Sequence, residues 1–122
     1  MKIAVTSKGK EINSETDPRF GRCRYFLIVD PETMEFQPVE NGSSMAMGGA
    51  GPQASQTISR SGASVLITGN VGPNAFQALK ASGIKVIIGA TGTVREMVEK
   101  YGRGELEEIN DPSVESHSGM KE

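Results

Sequence analysis

Hydrophobic and polar positions follow two rhythms along the chain, and the change between them comes near Asn41. Before it, short apolar runs alternate with polar turns. Lys2–Ser7 (KIAVTS) is a β-branched run that predicts a first strand, and residues 8–18 are polar and loop-like. Tyr25–Val29 (YFLIV) is apolar at successive positions, the pattern of a strand buried on both faces and central in its sheet. Asp30-Pro31-Glu32-Thr33 supplies turn residues and Met34–Glu40 resumes as a third strand, so this half predicts an antiparallel meander. After Asn41, strands alternate with helices. Pro52 is placed as the first residue of a helix that ends near Gly62. Ala63–Thr68 reads as a buried strand. A second helix opens at Pro73, carries Ala75, Phe76 and Leu79 as its apolar stripe, and closes at Gly83. Ile84–Ile88 is a fifth strand. Thr93 with Glu96 forms a capping box, and Val94, Met97, Val98 and Tyr101 follow at helical spacing until Gly102.

The order βββ followed by αβαβα predicts an α/β domain with a mixed five-stranded sheet. The last two strands should run parallel to the first, and helices should cover both faces. The folded unit is expected over residues 1–109, with the polar residues 110–122 as a flexible tail. A length of 122 residues and 13.0 kDa suits one core and no second domain. Lys2 is followed by only three apolar residues before Thr6, so no secretory leader is expected. No apolar run approaches the ~20 residues of a membrane span, so a cytoplasmic location without membrane contact is expected. One Cys cannot form an intramolecular disulfide, and with one His it cannot complete a four-ligand zinc site. The absence of Trp and an aromatic content of 5% argue against a stacking surface for nucleic acid.

Charge is distributed unevenly. Residues 41–95 carry Arg60, Lys80, Lys85 and Arg95 and no acid, whereas residues 96–122 carry eight acids and three bases. The acid-free stretch also holds three Gly-rich turns, each opening a helix: Gly48-Gly49-Ala50-Gly51-Pro52, Gly69-Asn70-Val71-Gly72-Pro73 and Ala90-Thr91-Gly92-Thr93. Unpaired N–H groups at a helix start attract anions, and Gly lets a ligand approach the backbone. Any one such turn is explained by tight βα geometry. Three together, on what should be the carboxyl edge of the sheet, point to an anion site near Gly51, Gly72 and Gly92. None of them is a Walker loop or a G-x-G-x-x-G fingerprint. Residues 43–51 have three Gly and no charge, and are expected to order only around a ligand.

Candidate soft ligands are few. Cys23 lies between Arg22 and Arg24, whose charges would favour a thiolate; the competing reading is a small buried hydrophobe at a strand start. Met45 and Met47 offer thioethers suited to copper(I), or else close over the core as gap-fillers. His117 lies in the expected tail. No Cys–His pair or Ser with base and orienter stands at meaningful spacing, so no catalytic residue is assigned. A nuclease of ribonuclease H-like fold needs carboxylates on its central strands, and Lys2–Ser7 has none.

These residues resemble the dinitrogenase iron–molybdenum cofactor biosynthesis family, which includes NifX-like proteins and the C-terminal domain of NifB-like proteins. The resemblance rests on MKIAVTS, Arg19-Phe20-Gly21-Arg22 with Tyr25-Phe26, Asn41, the Gly48–Gly51 loop, Gly72-Pro73-Asn74-Ala75, Gly92-Thr93-Val94, Tyr101 and Gly104. It implies a three-layer ribonuclease H-like fold and a non-enzymatic role in carrying an iron–sulfur or iron–molybdenum cluster precursor between donor and acceptor proteins. A related small protein type holds a molybdenum–copper sulfide anion without covalent attachment. Some members have His where this chain has Met45 and Met47. On this reading Arg22, Arg24, Gly48, Gly49, Gly51, Gly72 and Gly92 would hold the anion, while Cys23, Met45 and Met47 would contact metal. The oligomeric state is left open, a monomer being compatible. Two other classes remain: a regulatory module binding a phosphate-bearing ligand or a protein, and an enzyme using the Cys23 thiolate.

Overall fold

A computed structural model describes residues 1–42 and 50–111. The chain runs through β1 (Ile3–Ser7), β2 (Tyr25–Val29), β3 (Phe36–Glu40), α1 (Ala50–Ser61), β4 (Val65–Ile67), α2 (Pro73–Ala81), β5 (Lys85–Ile87) and α3 (Val94–Gly102). The five strands form one sheet in the order β3-β2-β1-β4-β5. β2 is antiparallel to both β1 and β3, with Val5 opposite Leu27 and Leu27 opposite Pro38. β4 is parallel to β1, and β5 to β4. The meander and the parallel half are those the change of rhythm predicts.

Side chains alternate across the strands, so each strand feeds two cores. Ala4, Phe26, Ile28, Leu66 and Val86 pack with Ala54 and Ile58 of α1 and Phe76 and Leu79 of α2. Ile3, Val5, Leu27, Val29, Val65, Ile67 and Ile87 pack on the other face with Val94, Met97 and Val98 of α3. Two helices therefore cover one face and one covers the other. No helix among the described residues is long and apolar enough to cross a membrane.

β1, β4 and β5 are each shorter than the runs that predict them, and two further boundaries differ from expectation. β3 starts at Phe36 because Met34 closes the hairpin turn at φ 65°, donating its N–H to Asp30 O at 2.7 Å. α1 starts at Ala50, so Gly51 lies inside its first turn rather than in a loop before it.

Two connections shape the ends of the sheet. Residues 8–19 fold back over the carboxyl ends of β1 and β4: Asp17 N donates to Thr6 O, Thr16 N to Gly92 O, and Asn70 N to Pro18 O, each at 2.9 Å. After α3 the chain returns along β5, where Ile109 N donates to Val86 O at 2.8 Å and Glu108 accepts from Lys80 at 2.9 Å.

Candidate functional site

The sequence places glycine and proline at the starts of α1 and α2, and the fold brings these starts together. Gly51 lies so close to Ala75 that a Cβ on it would stand 3.0 Å from the Ala75 Cβ. Between the two starts and the Phe20–Gly21 loop lies a cleft of about 360 Å³, lined by Gly51, Pro52, Asn70, Val71, Gly72, Pro73, Asn74 and Ala75 as well as that loop. Among these lining residues there is no carboxylate, thiol or imidazole. Gly72 is the N-cap of α2 and no side chain caps it; Pro73 has no N–H, so Asn74 and Ala75 carry the first amides of the helix. With no acidic residue in the first turn of either helix, the two N-termini give the cleft a positive end-field.

The third expected helix start does not join them. α3 packs on the opposite face of the sheet, and its first amides are already taken. Thr93 N donates to Glu96 Oε1 at 2.8 Å and Glu96 N to Thr93 Oγ1 at 3.1 Å, completing the capping box. Val94 N donates to Ser14 O at 3.0 Å and Arg95 N to Ile12 O at 2.8 Å. The helix start near Gly92 thus has no first-turn amide left for an anion, and the expected three-helix site contracts to two.

Cys23 is fully buried beside Phe20, Phe26 and Ala4, and does not line the cleft. Burial, followed by the nearby Asp17 carboxylate, pushes its thiol up to about 12, against weaker lowering by the Asn41 amide. Its Sγ lies 3.4 Å from Phe20 O. In this structure Cys23 is the small buried hydrophobe of the competing reading: the turn leading into β2 buries it and leaves both arginines exposed. Arg24 lies over the Tyr25 ring, 5.8 Å from its centroid, and lines a separate depression with Glu40 and Asn41. Arg22 is exposed and follows the lining residue Gly21 in the chain, but does not itself line the cleft.

The profile of the family described as "Dinitrogenase iron-molybdenum cofactor" matches residues 1–104. The chain belongs to this family. The orange protein from Desulfovibrio gigas, solved in its apo form, is 44% identical, with a TM-score of 0.89 over 92% of this chain and 95% of its own. A Thermotoga protein with an NMR structure is 41% identical, with a TM-score of 0.75 over 88% of this chain and 91% of its own. A Methanocaldococcus jannaschii protein at 19% identity and TM-score 0.70, covering 92% of this chain and 97% of its own, shares the fold. No curated protein sequence matches.

For this member of the dinitrogenase iron–molybdenum cofactor family, Met45, Met47, Gly48, Gly49 and His117 lie outside the described residues, as does most of the loop expected to order around a ligand. Sequence reasoning passed over an ion pair beside the cleft. Asp17 is buried; its Oδ1 accepts from Arg19 N at 2.9 Å and from Nε at 3.1 Å, and its Oδ2 accepts from Nη2 at 3.1 Å. Burial alone would raise the Asp17 carboxyl, but these bonds and the charges of Arg19 and Lys8 together hold it below its ordinary value. The local signal was present in Asp17-Pro18-Arg19: an Asp whose carboxylate can reach the N–H two residues on, with Pro between.

Proposed function

We propose that this protein is a carrier for an anionic metal–sulfur cluster, held at the cleft between the starts of α1 and α2 and passed between donor and acceptor proteins without catalysis. The observation that carries this reading is the convergence of two helix N-termini on a cleft whose lining has amides and no carboxylate. Family membership supports metallocluster biosynthesis as the context. The name and apo state of the orange protein support a coloured group bound by a relative of the same shape. The sheet order, with β2 antiparallel to its neighbours, supports a ribonuclease H-like architecture for the carrier.

The donor set narrows the cargo. Among the described residues no three His, Cys, Asp or Glu side chains gather to hold a metal ion, and the one thiol is buried and protonated. A cargo suited to this cleft brings its own sulfide around the metal and needs only hydrogen-bond donors and positive field. A molybdenum–copper sulfide or a sulfide-clad iron–molybdenum precursor meets that description. Each helix terminus is worth up to ~2 kcal/mol in a partly buried site, so two give modest affinity, as befits cargo that must leave again. The cell compartment on this reading is the cytoplasm.

The test is anaerobic mixing with tetrathiomolybdate and copper(I), or with iron and sulfide, followed by gel filtration. Visible absorbance should travel with the wild-type protein and be lost from Asn74→Glu. Asn74 is exposed at the start of α2, where an acid favours the helix but repels an anion from the cleft. Colour retained undiminished by Asn74→Glu, or a wild-type protein that stays colourless, overturns the proposal. Inorganic phosphate bound in place of either cluster favours the phosphate-binding module.

A further inference from the structure

We infer that Arg19 is the positioning cation of the cleft, and that Asp17 is the residue that fixes it there. This rests on the carrier reading above and names how the site attracts and orients its anion. Arg19 stands outside the lining itself but adjoins it on two sides: Phe20 follows it in the chain, and Asn70 pairs with it across an isolated parallel bridge. The backbone of this strap is fixed, since Asn70 N donates to Pro18 O and Asp17 N to Thr6 O, both at 2.9 Å.

The ion pair is asymmetric. The Asp17 side chain is 2% exposed and that of Arg19 is 63% exposed. Both carboxylate oxygens are spent on Arg19, through its Nε, its Nη2 and its backbone N–H. The pair therefore turns its negative end into the protein and its positive end outward. A guanidinium gripped along its Nε–Nη2 edge still directs its Nη1 hydrogens away from the carboxylate. An arginine already held in a fork loses little conformational freedom when an anion arrives, whereas a loose surface arginine must be ordered first. Three other cations are engaged elsewhere: Arg24 lies on Tyr25, Arg95 donates to Asn13, and Lys80 pairs with Glu108.

The two roles predict opposite signs for one substitution. Asp17→Asn removes a negative charge near the cleft, so Coulomb's law alone gives tighter anion binding. If Asp17 acts by holding Arg19, the same change gives weaker binding. The probe is tetrathiomolybdate, titrated anaerobically at low ionic strength by equilibrium dialysis. Arg19→Gln should weaken binding by about tenfold and flatten its salt dependence, with Arg19→Lys recovering part of the loss. Asp17→Asn should weaken it by about threefold, and should add nothing to Arg19→Gln in the double variant.

Arg19→Gln binding as tightly as wild type, or Asp17→Asn binding more tightly, overturns the inference. Asn74→Glu in the same series separates the levels. Loss there with Arg19→Gln unaffected defeats the role of Arg19 and leaves the cleft standing. Binding that survives both, or is absent in the wild type, defeats the inference and the cleft together. Should Asp17→Asn fail to fold by circular dichroism, the exposed Arg19→Gln and Arg19→Lys pair decides the outcome alone.

Discussion

Gly69→Ala should be among the most damaging single-methyl changes in this protein. A Cβ at Gly69 would stand 2.4 Å from the Pro18 Cα and 2.7 Å from both its Cβ and its carbonyl oxygen. Ordinary contacts between carbons fall near 3.5–4.0 Å, so the strap must retreat by about 1 Å. No flexible side-chain tip can absorb that movement, because the obstruction is backbone and a proline ring. Overpacking of this kind costs about 1–3 kcal/mol, and loss of the bond from Asn70 N to Pro18 O adds about 1 kcal/mol. Together they come to about 2–4 kcal/mol, against a total of about 5–15 kcal/mol for an ordinary domain. For a chain of this size the melting temperature should fall by about 10 °C. Urea unfolding at equilibrium measures the first quantity and scanning calorimetry the second. Because Asn70 lines the cleft, tetrathiomolybdate binding should weaken in the same variant. Gly102→Ala is the control: nothing lies within 4 Å of its added Cβ at the end of α3, and it should be neutral or stabilising by up to about 1 kcal/mol. A Gly69→Ala protein within about 0.5 kcal/mol of wild type would refute the close crossing at Pro18.

Three further outcomes are expected. Thr93→Ala removes the capping box and should cost about 1 kcal/mol in thermal unfolding, while leaving tetrathiomolybdate binding unchanged because α3 faces away from the cleft. The Cys23 thiol, buried and pushed up to about 12, should resist thiol-disulfide reagents at pH 8 until urea unfolds the chain; rapid labelling of the native protein would contradict its burial. Asp17 lies below its ordinary value of 3.8 in the folded chain, so its ion pair stabilises the fold fully above that pH and is lost as the pH falls through the lower, folded value. Acid titration should therefore show wild type losing stability more steeply than Asp17→Asn below about pH 4, and parallel curves would contradict the assignment.

Local signals in the sequence led to correct elements, and distant ones to the errors. The Thr93/Glu96 box, the stripe of Ala75, Phe76 and Leu79, and the even apolar run of Tyr25–Val29 each state their structure within a few residues. The convergence of Gly51 with Gly72 followed from the alternation of strand and helix. Gly92 was grouped with them because its turn has the same composition. What separates it is a pair of hydrogen bonds from Val94 and Arg95 to Ser14 and Ile12, some eighty residues away in the chain, and no local pattern announces such bonds. Cys23 presented flanking arginines as its most visible feature, yet the turn into β2 buries it among Phe20, Phe26 and Ala4. Asp17 and Arg19 were legible as an Asp-Pro-Arg turn, but only the fold places that turn beside Asn70.

A β-sheet ends where its last strand leaves amides and carbonyls unpaired, and such rows recruit other chains. At β3 the row is interrupted by Pro38, which has no N–H to offer. At β5 the guard is the returning segment, where Ile109 occupies the Val86 carbonyl and Glu108 is tethered to Lys80. That guard lies past residue 104, where the family profile stops. A chain shortened to that boundary keeps every lining residue of the cleft but uncovers β5, exchanging a guarded edge for one open to aggregation.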